Sequence, residues 1–394
     1  MHIPDGYLSP QTCAVGFVVA VPFGALAVKR VKRVVRTRHV PTLALFSALC
    51  FLVMMFNVPI PDGTTAHAVG GAIVAIALGP WAAMIAVGVA LLFQALLFGD
   101  GGVLSFGVNV VNMAIVLPFS AYGIYRLLAA RSELTSPRRV LAAAIGGYVG
   151  INLAALLTGV ELGLQPLLFT GADGGPLYSP YSLGQAIPAM MVAHLLVAGF
   201  VEAVLTAGVI GYLQRANLPL LRLNHPDAPG DATVPQRRTV RPIAVAGIAV
   251  GIMVLLTPIG LLAPGGAFGE DAPQDLKLSK LGLSSVPRGL QKYSDFWHHT
   301  LFPDYGLSGV PDWLAYIASA VAGILAVGIL VYVIGKLVQV FTRGRAGSGS
   351  ATDSAEPEAA AGAAPAGAVS TGEGTESGGA PSSTGSGAGT GVSS

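Results

Sequence analysis

The sequence predicts an all-α polytopic membrane protein: a seven-span bundle with its N-terminus outside, followed by two further transmembrane helices. Three observations lead there. Only 11% of the 394 residues are charged and 53% are hydrophobic, against about 25% charged in soluble domains. Apolar runs recur at about 13–28, 41–56, 66–79, 81–98, 105–125, 140–158, 183–213, 242–263 and 313–341; a helix needs about 20 residues to cross ~30 Å of hydrocarbon. The runs do not alternate apolar with polar residues, as barrel strands would.

Lysine and arginine set the direction of each span. Lys29, Arg30, Lys32, Arg33, Arg36 and Arg38 follow the first run, which puts that loop in the cytoplasm and the N-terminus outside. The second run returns to the outer side at Asn57-Val58-Pro59-Ile60-Pro61-Asp62-Gly63. Residues 66–98 can be one helix or two crossings broken at Gly79-Pro80. Two crossings put Arg126, Arg131, Arg138 and Arg139 inside, and likewise Arg215, Arg222, Arg237, Arg238, Arg241, Lys336, Arg343 and Arg345. The first crossing, 66–79, is then only about 14 residues, roughly 21 Å of helix, a length suited to lining a buried cavity. Lys277, Lys280, Arg288 and Lys292 fall in the outer segment 264–312, where a long loop obeys the charge rule weakly.

The expected divisions are a core at 1–213, a cytoplasmic linker at 214–241, a two-span accessory segment at 242–345 with outer loop 264–312, and a tail at 346–394. The tail is almost entirely Gly, Ala, Ser, Thr, Pro and Glu, a composition expected to be disordered. Cys13 and Cys50 lie far apart in apolar runs and read as buried thiols.

The chemistry concentrates at the start. Met1-His2-Ile3-Pro4-Asp5-Gly6-Tyr7-Leu8-Ser9-Pro10 has no basic n-region and no cleavage site, so it does not read as a signal peptide. A bulky His2 hinders removal of the initiator methionine. The Met1 amine, the His2 backbone nitrogen and the His2 imidazole can close two adjacent chelate rings on one metal. In the predicted topology His67 lies on the same side, at the top of a short span, where a polar residue is expensive and marks a functional candidate. Four nitrogens in a plane suit Ni²⁺, Cu²⁺ or low-spin Co²⁺ rather than tetrahedral Zn²⁺. The bland alternative, a His67 that only hydrogen-bonds a neighbouring helix, stays open on the residues alone.

The segments MHIPDGYLSP, FNVPIPDGTTAHAVGG, FGVNVVNMAIVLPF and HLLVAGFVEAVLTAGVIGYLQ together resemble the CbiM/NikM family, the substrate-capture (S) components of cobalt and nickel energy-coupling-factor (ECF) transporters. The resemblance covers roughly residues 1–215. It implies a metal held by Met1, His2 and His67, transported Co²⁺ or Ni²⁺ rather than a resident cofactor, and two kinds of partner: a coupling transmembrane (T) subunit and ATP-binding cassette ATPase subunits. The loop Pro61-Asp62-Gly63-Thr64-Thr65-Ala66-His67 departs from the Gly-Gly-Thr-Ser often found in members. Thr257-Pro258-Ile259-Gly260-Leu261-Leu262-Ala263-Pro264 and Phe302-Pro303-Asp304-Tyr305-Gly306 resemble the separately encoded two-span partner of some systems, here fused; fusion keeps those spans at high effective concentration. This outer segment looks more like cobalt-type members, which favours Co²⁺.

Around the ligands, Asp5 and Tyr7 are expected to fix the N-terminal turn, with Thr64, Thr65, Asn109 and Asn112 as supporting candidates. Asn109 and Asn112 share a helical face and could bond the turn carrying His67, hold the N-terminal segment, or simply join two helices. His194 and Glu202, eight apart on the seventh span, read best as a structural pair, with a contact to a coupling subunit or a proton path as alternatives and a direct metal role disfavoured. Trp297-His298-His299 reads as exposed histidines, with weak metal collection as the alternative. There is no G-x-x-x-x-G-K-[ST], no H-E-x-x-H and no basic nucleic-acid module, so ATP hydrolysis is expected on other subunits and the chain is not expected to be an enzyme. Two rival classes are a solitary secondary transporter or channel, disfavoured because the spans lack a chain of acidic residues, and a membrane metal sensor, which lacks a recognisable signalling domain.

Overall fold

The structure is a computed structural model that describes residues 1–34, 40–60, 64–229, 242–263 and 266–348. Met1–Gly344 form one compact unit; of the remainder, Arg345–Ser394, only the end of the last helix is described. Arg36, Arg38, Pro61-Asp62-Gly63, the linker from 230 to 241 and the tail from 349 onward lie outside the described residues.

Among the described residues the regular secondary structure is helical except for one short hairpin. In order it runs α1 (Pro10–Val34), α2 (Val40–Met55), β1 (Val58–Ile60), β2 (Thr64–Ala66), α3 (Gly71–Leu78), α4 (Pro80–Phe98), α5 (Phe106–Leu128), α6 (Pro137–Leu168), α7 (Leu183–Ala216), α8 (Leu218–Asn224), α9 (Pro242–Leu256), α10 (Arg288–Tyr293) and α11 (Asp312–Ser348). Among the described residues six helices are long and apolar enough to cross a membrane: α1, α4, α5, α6, α7 and α11. Two apolar helices are shorter, Val40–Met55 and Gly247–Leu262. The protein is thus an all-α, multi-pass membrane protein. Val15, Val18 and Val21 on α1, between 63% and 72% exposed, form an apolar outer face of the kind that meets lipid.

The expected span at 66–79 takes a different form. The break at Gly79-Pro80 is present: Gly79 has φ +98°, and Pro80 starts α4, a φ that glycine alone adopts cheaply followed by a proline preset for the first helical turn. Its first arm, however, is not a helix from residue 66. Residues 64–66 pair antiparallel with 58–60, in register Val58↔Ala66, Pro59↔Thr65 and Ile60↔Thr64. Residues 67–70 are non-helical, and Gly70 has φ +77°. Helix begins only at Gly71 and lasts eight residues, about 12 Å. It is apolar on every side and buried on every side, which a surface helix could not tolerate.

α6 is the long central helix, packed on α5 along one side and α7 along the other. Close approach depends on glycine at two points: a Cβ on Gly146 or Gly150 would come within 2.6 Å of the Ala121 carbonyl or 2.7 Å of the Leu117 carbonyl, the small-residue contact typical of membrane helices. π-helical turns interrupt α4 at Gln94–Phe98, α5 at Val110–Val116 and α7 at His194–Ala198. Such turns re-aim side chains and recur at functional sites; hydropathy does not reveal them.

The segment after α9 lies over the N-terminal end of the core. Gly289 N–H donates to the Leu177 carbonyl at 2.7 Å, the Leu301 and Phe302 N–H groups donate to the Leu97 carbonyl at 2.9 Å, and Trp297 Nε1 donates to the Leu96 carbonyl at 2.9 Å. α11 returns against α2, where Tyr316 Oη donates to the Met55 carbonyl at 3.0 Å.

Candidate metal centre

The first nine residues are threaded into the bundle. Met1, His2, Ile3, Asp5, Tyr7, Leu8 and Ser9 are all buried, and the segment is held along its length. Asn109, on α5, bonds both backbone groups of one residue: the Ile3 N–H donates to Asn109 Oδ1 at 2.9 Å and Asn109 Nδ2 donates to the Ile3 carbonyl at 3.1 Å. Asp5 accepts three backbone N–H bonds, from Val103 (3.0 Å), Leu104 (2.8 Å) and Ser105 (3.2 Å). Burial pushes the Asp5 carboxyl above its ordinary pKa, and these donors oppose that rise. Gly6 turns at φ +90°, and a Cβ there would meet the Leu290 carbonyl at 2.6 Å. Tyr7 Oη donates to the Asp271 carbonyl at 2.8 Å, and the Ser9 N–H donates to Gln165 Oε1 at 2.9 Å.

This threading brings the two histidines face to face. The rings of His2 and His67 stack with centroids 4.9 Å apart and planes 28° from parallel. The Met1 amine sits 3.2 Å from Glu270 Oε1. His67 Nδ1 is 3.0 Å from the Ala68 carbonyl and must donate its proton there, so Nε2 carries the lone pair. That Nε2 is buried and has no partner. A buried nitrogen left unpaired costs about 1–3 kcal/mol, and a bound cation would remove the cost.

His2 is set by Gln94. Gln94 Nε2 donates to Asp100 Oδ2 at 3.4 Å and to Tyr305 Oη at 3.2 Å, so its Oε1 faces His2 Nε2 at 3.3 Å. An oxygen there requires an N–H, which leaves Nδ1 as the lone-pair nitrogen. Nδ1 is the ring nitrogen that closes a six-membered chelate with the His2 backbone nitrogen. It now lies 3.0 Å from Asp100 Oδ1. Burial, aided by the neighbouring amine charge, pushes His2 down to about 4, and burial pushes Asp100 up. Both shifts disfavour a charged pair at this contact.

The turn after His67 is anchored from α7. Glu202, fully buried, accepts from the Val69 N–H at 2.8 Å, the Gly70 N–H at 2.9 Å and the Ala72 N–H at 3.4 Å. A carboxylate thereby caps the free N–H groups at the start of α3 and fixes the backbone that presents His67.

Several expected supports fall elsewhere. Asn112 is a correction: it neither reaches the His67 turn nor holds the N-terminus, but donates to Thr158 Oγ1 at 3.1 Å and Glu161 Oε2 at 2.6 Å, because the π turn rotates it toward α6. Thr64 points to the Gly266 carbonyl at 3.5 Å, and Thr65 serves the hairpin and a bridge to Ala267; as strand residues they position the chain just before His67. His194 and Glu202 are not a pair: His194 Nδ1 bonds the Met190 carbonyl at 2.7 Å while Glu202 caps α3. His298 and His299 are exposed and touch at a tilt of 44°, with His299 edge-on to Trp297. Gln94, Asp100 and Glu270 were not singled out from the sequence, and Tyr305 was noted only within a segment of the fused partner. For Gln94 a signal existed, a lone amide inside an apolar run; Glu270 carries none.

Residues 2–220 match the family described as the cobalt uptake substrate-specific transmembrane region, CbiM. The chain belongs to the CbiM family. Residues 241–340 match a second family, the PDGLE domain, so this is a CbiM-family chain with a PDGLE segment fused behind it. The same two-part length is seen in the fused nickel transport protein NikMN of Rhodobacter capsulatus, 44% identical over 82% of this chain and 94% of that one. The probable fused nickel transport protein LarMN of Lactiplantibacillus plantarum is 45% identical over 84% of this chain and 96% of its own. The crystal structure of a truncated transition metal transporter is 59% identical, with TM-score 0.51, and covers 54% of this chain and 98% of its own. Membership places the chain among transmembrane metal-uptake proteins.

Proposed function

We propose that this protein captures Ni²⁺ or Co²⁺ at its outer face and delivers it into an ATP-driven ECF transporter as the S component. The ligands in this reading are the Met1 amine, the His2 backbone nitrogen, His2 Nδ1 and His67 Nε2. The observation that carries it is the buried, partnerless Nε2 of His67 stacked over His2 beside the Met1 amine. Asp5 and Asn109 hold the threaded segment, Gln94 fixes the His2 tautomer, and Glu202 fixes the His67 turn. The chain hydrolyses nothing; a coupling transmembrane subunit and ATP-binding cassette subunits supply the work. Arg126, Arg131 and Arg139 line one cavity with His225, and α5 carries Asn109 near its start and Arg126 in its last turn; this clustering of cations supports the N-terminus-outside orientation. The core at 1–213 holds the chelate, and the accessory segment at 242–345 closes over it through Glu270 and Tyr305. Both fused relatives are named for nickel, which moves the weight from the expected Co²⁺ toward Ni²⁺.

The test is metal titration of the purified full chain in three forms: native, with one extra residue before Met1, and His67→Ala. Loss of tight Ni²⁺ and Co²⁺ binding in both altered forms is expected. Binding at native strength in both overturns the ligand set. Uptake into vesicles by this chain alone, without ATPase subunits, would overturn the ATP-driven part.

A further inference from the structure

His194 carries the same signature as His67. Its Nδ1, 2.7 Å from the Met190 carbonyl, must donate there, so its Nε2 holds a lone pair. That Nε2 is buried and partnerless, in a residue only 2% exposed. Both histidines therefore present an imidazole lone pair, in a fixed tautomer, to a buried space without a hydrogen-bond donor. The two lie in one region of the fold. The π turn His194–Ala198 packs against β1 and β2, the hairpin that ends one residue before His67, and His194 lies within electrostatic reach of both His67 and the Met1 amine. The π turn matters here: the extra residue it inserts turns His194 off the regular helical path.

The inference rests on the metal-capture reading. That reading already supplies four nitrogens without His194, enough for a planar site. A fifth lone pair beside a complete set is surplus to holding the ion, and it stays costly while empty. We propose that His194 is a relay donor: the cargo ion exchanges between the four-nitrogen chelate and a displaced station that includes His194 Nε2. The step is a ligand substitution. One metal–nitrogen bond of the chelate breaks as the bond to His194 Nε2 forms; no electron moves, and no proton need leave His194, because Nδ1 keeps it.

A relay lowers the barrier between bound and free ion without changing either end state. Its loss slows loading and release together and leaves the affinity in place. Stopped-flow mixing of the full chain with Ni²⁺, and of the Ni²⁺-loaded chain with excess EDTA, reads the two rates; calorimetry reads the affinity. For His194→Ala both rates are expected to fall about tenfold or more, with affinity within threefold of native. His194→Gln, closer in size and a poor ligand for Ni²⁺, should behave alike and stands in if the alanine chain misfolds. His194→Cys, which restores a donor, should recover much of the rate. Unchanged rates overturn the proposal, as when a buried water alone satisfies the two imidazoles. So does an affinity loss without slower loading, the mark of a merely structural residue. Failure of the chelate itself is distinguishable, because the native chain would then bind no Ni²⁺ tightly.

Discussion

Replacing Glu202 by alanine tests whether the His67 turn is held from outside itself. The carboxylate accepts two short bonds, 2.8 Å from Val69 and 2.9 Å from Gly70, and a weaker one at 3.4 Å from Ala72. A hydrogen bond to a charged group contributes about 1.5–3 kcal/mol, so the two short ones amount to roughly 3–6 kcal/mol. Removing a buried charge gives part of that back. About 3 kcal/mol should remain as disorder of residues 67–70, and at about 1.4 kcal/mol per tenfold Ni²⁺ binding should weaken by roughly 100-fold. Glu202→Gln keeps one acceptor oxygen and should fall between, near tenfold. The assay is calorimetric titration of Ni²⁺ into the purified chain, with a melting curve alongside. An alanine variant that melts normally and binds Ni²⁺ within threefold of native refutes the argument.

Other expectations follow from the same geometry. Gln94→Leu frees the His2 tautomer; one hydrogen bond of about 1 kcal/mol should weaken Ni²⁺ binding about fivefold in the same titration, and binding at native strength would dismiss tautomer control. Glu270→Gln removes the carboxylate that competes with metal for the Met1 amine, and since Glu270 is partly exposed the pair is worth under ~1 kcal/mol. Loading should speed up a few-fold, and slower loading would make Glu270 a helper instead. His2 is neutral in the fold down to about 4 but titrates at 6.5 when unfolded. Its depressed value therefore contributes stability above pH 6.5 that is lost as pH falls toward 4. The metal-free protein should show a melting temperature that drops across that window, and His2→Ala should flatten the drop.

The membrane class, the break at Gly79-Pro80, and His2 and His67 as candidates were legible because each is a local signal: an apolar run, a Gly-Pro pair, a histidine where hydrocarbon is expected. The supports were less so. Asn109 and Asn112 look alike on a helical wheel, yet a π turn begins between them, and one bonds Ile3 while the other bonds Glu161. Glu202 was noticed and mispaired, since nothing in the chain says that its partners are N–H groups more than a hundred residues earlier. Glu270 sits in an ordinary polar loop, and only the fold brings it to the Met1 amine.

The short helix α3 is pinned at both ends. Glu202 grips the backbone just above it, while Asn224 Nδ2 donates to the Ala75 and Ile76 carbonyls at 3.2 and 3.0 Å and His225 Nε2 bonds the Ile76 carbonyl at 2.9 Å. Eight residues buried on every side leave little slack. A shift of the His67 turn beyond the give of these bonds must drag α8 along or tear its grip. The peptide that presents the histidine is, in mechanical terms, the top of a short pushrod whose foot rests on Asn224 and His225.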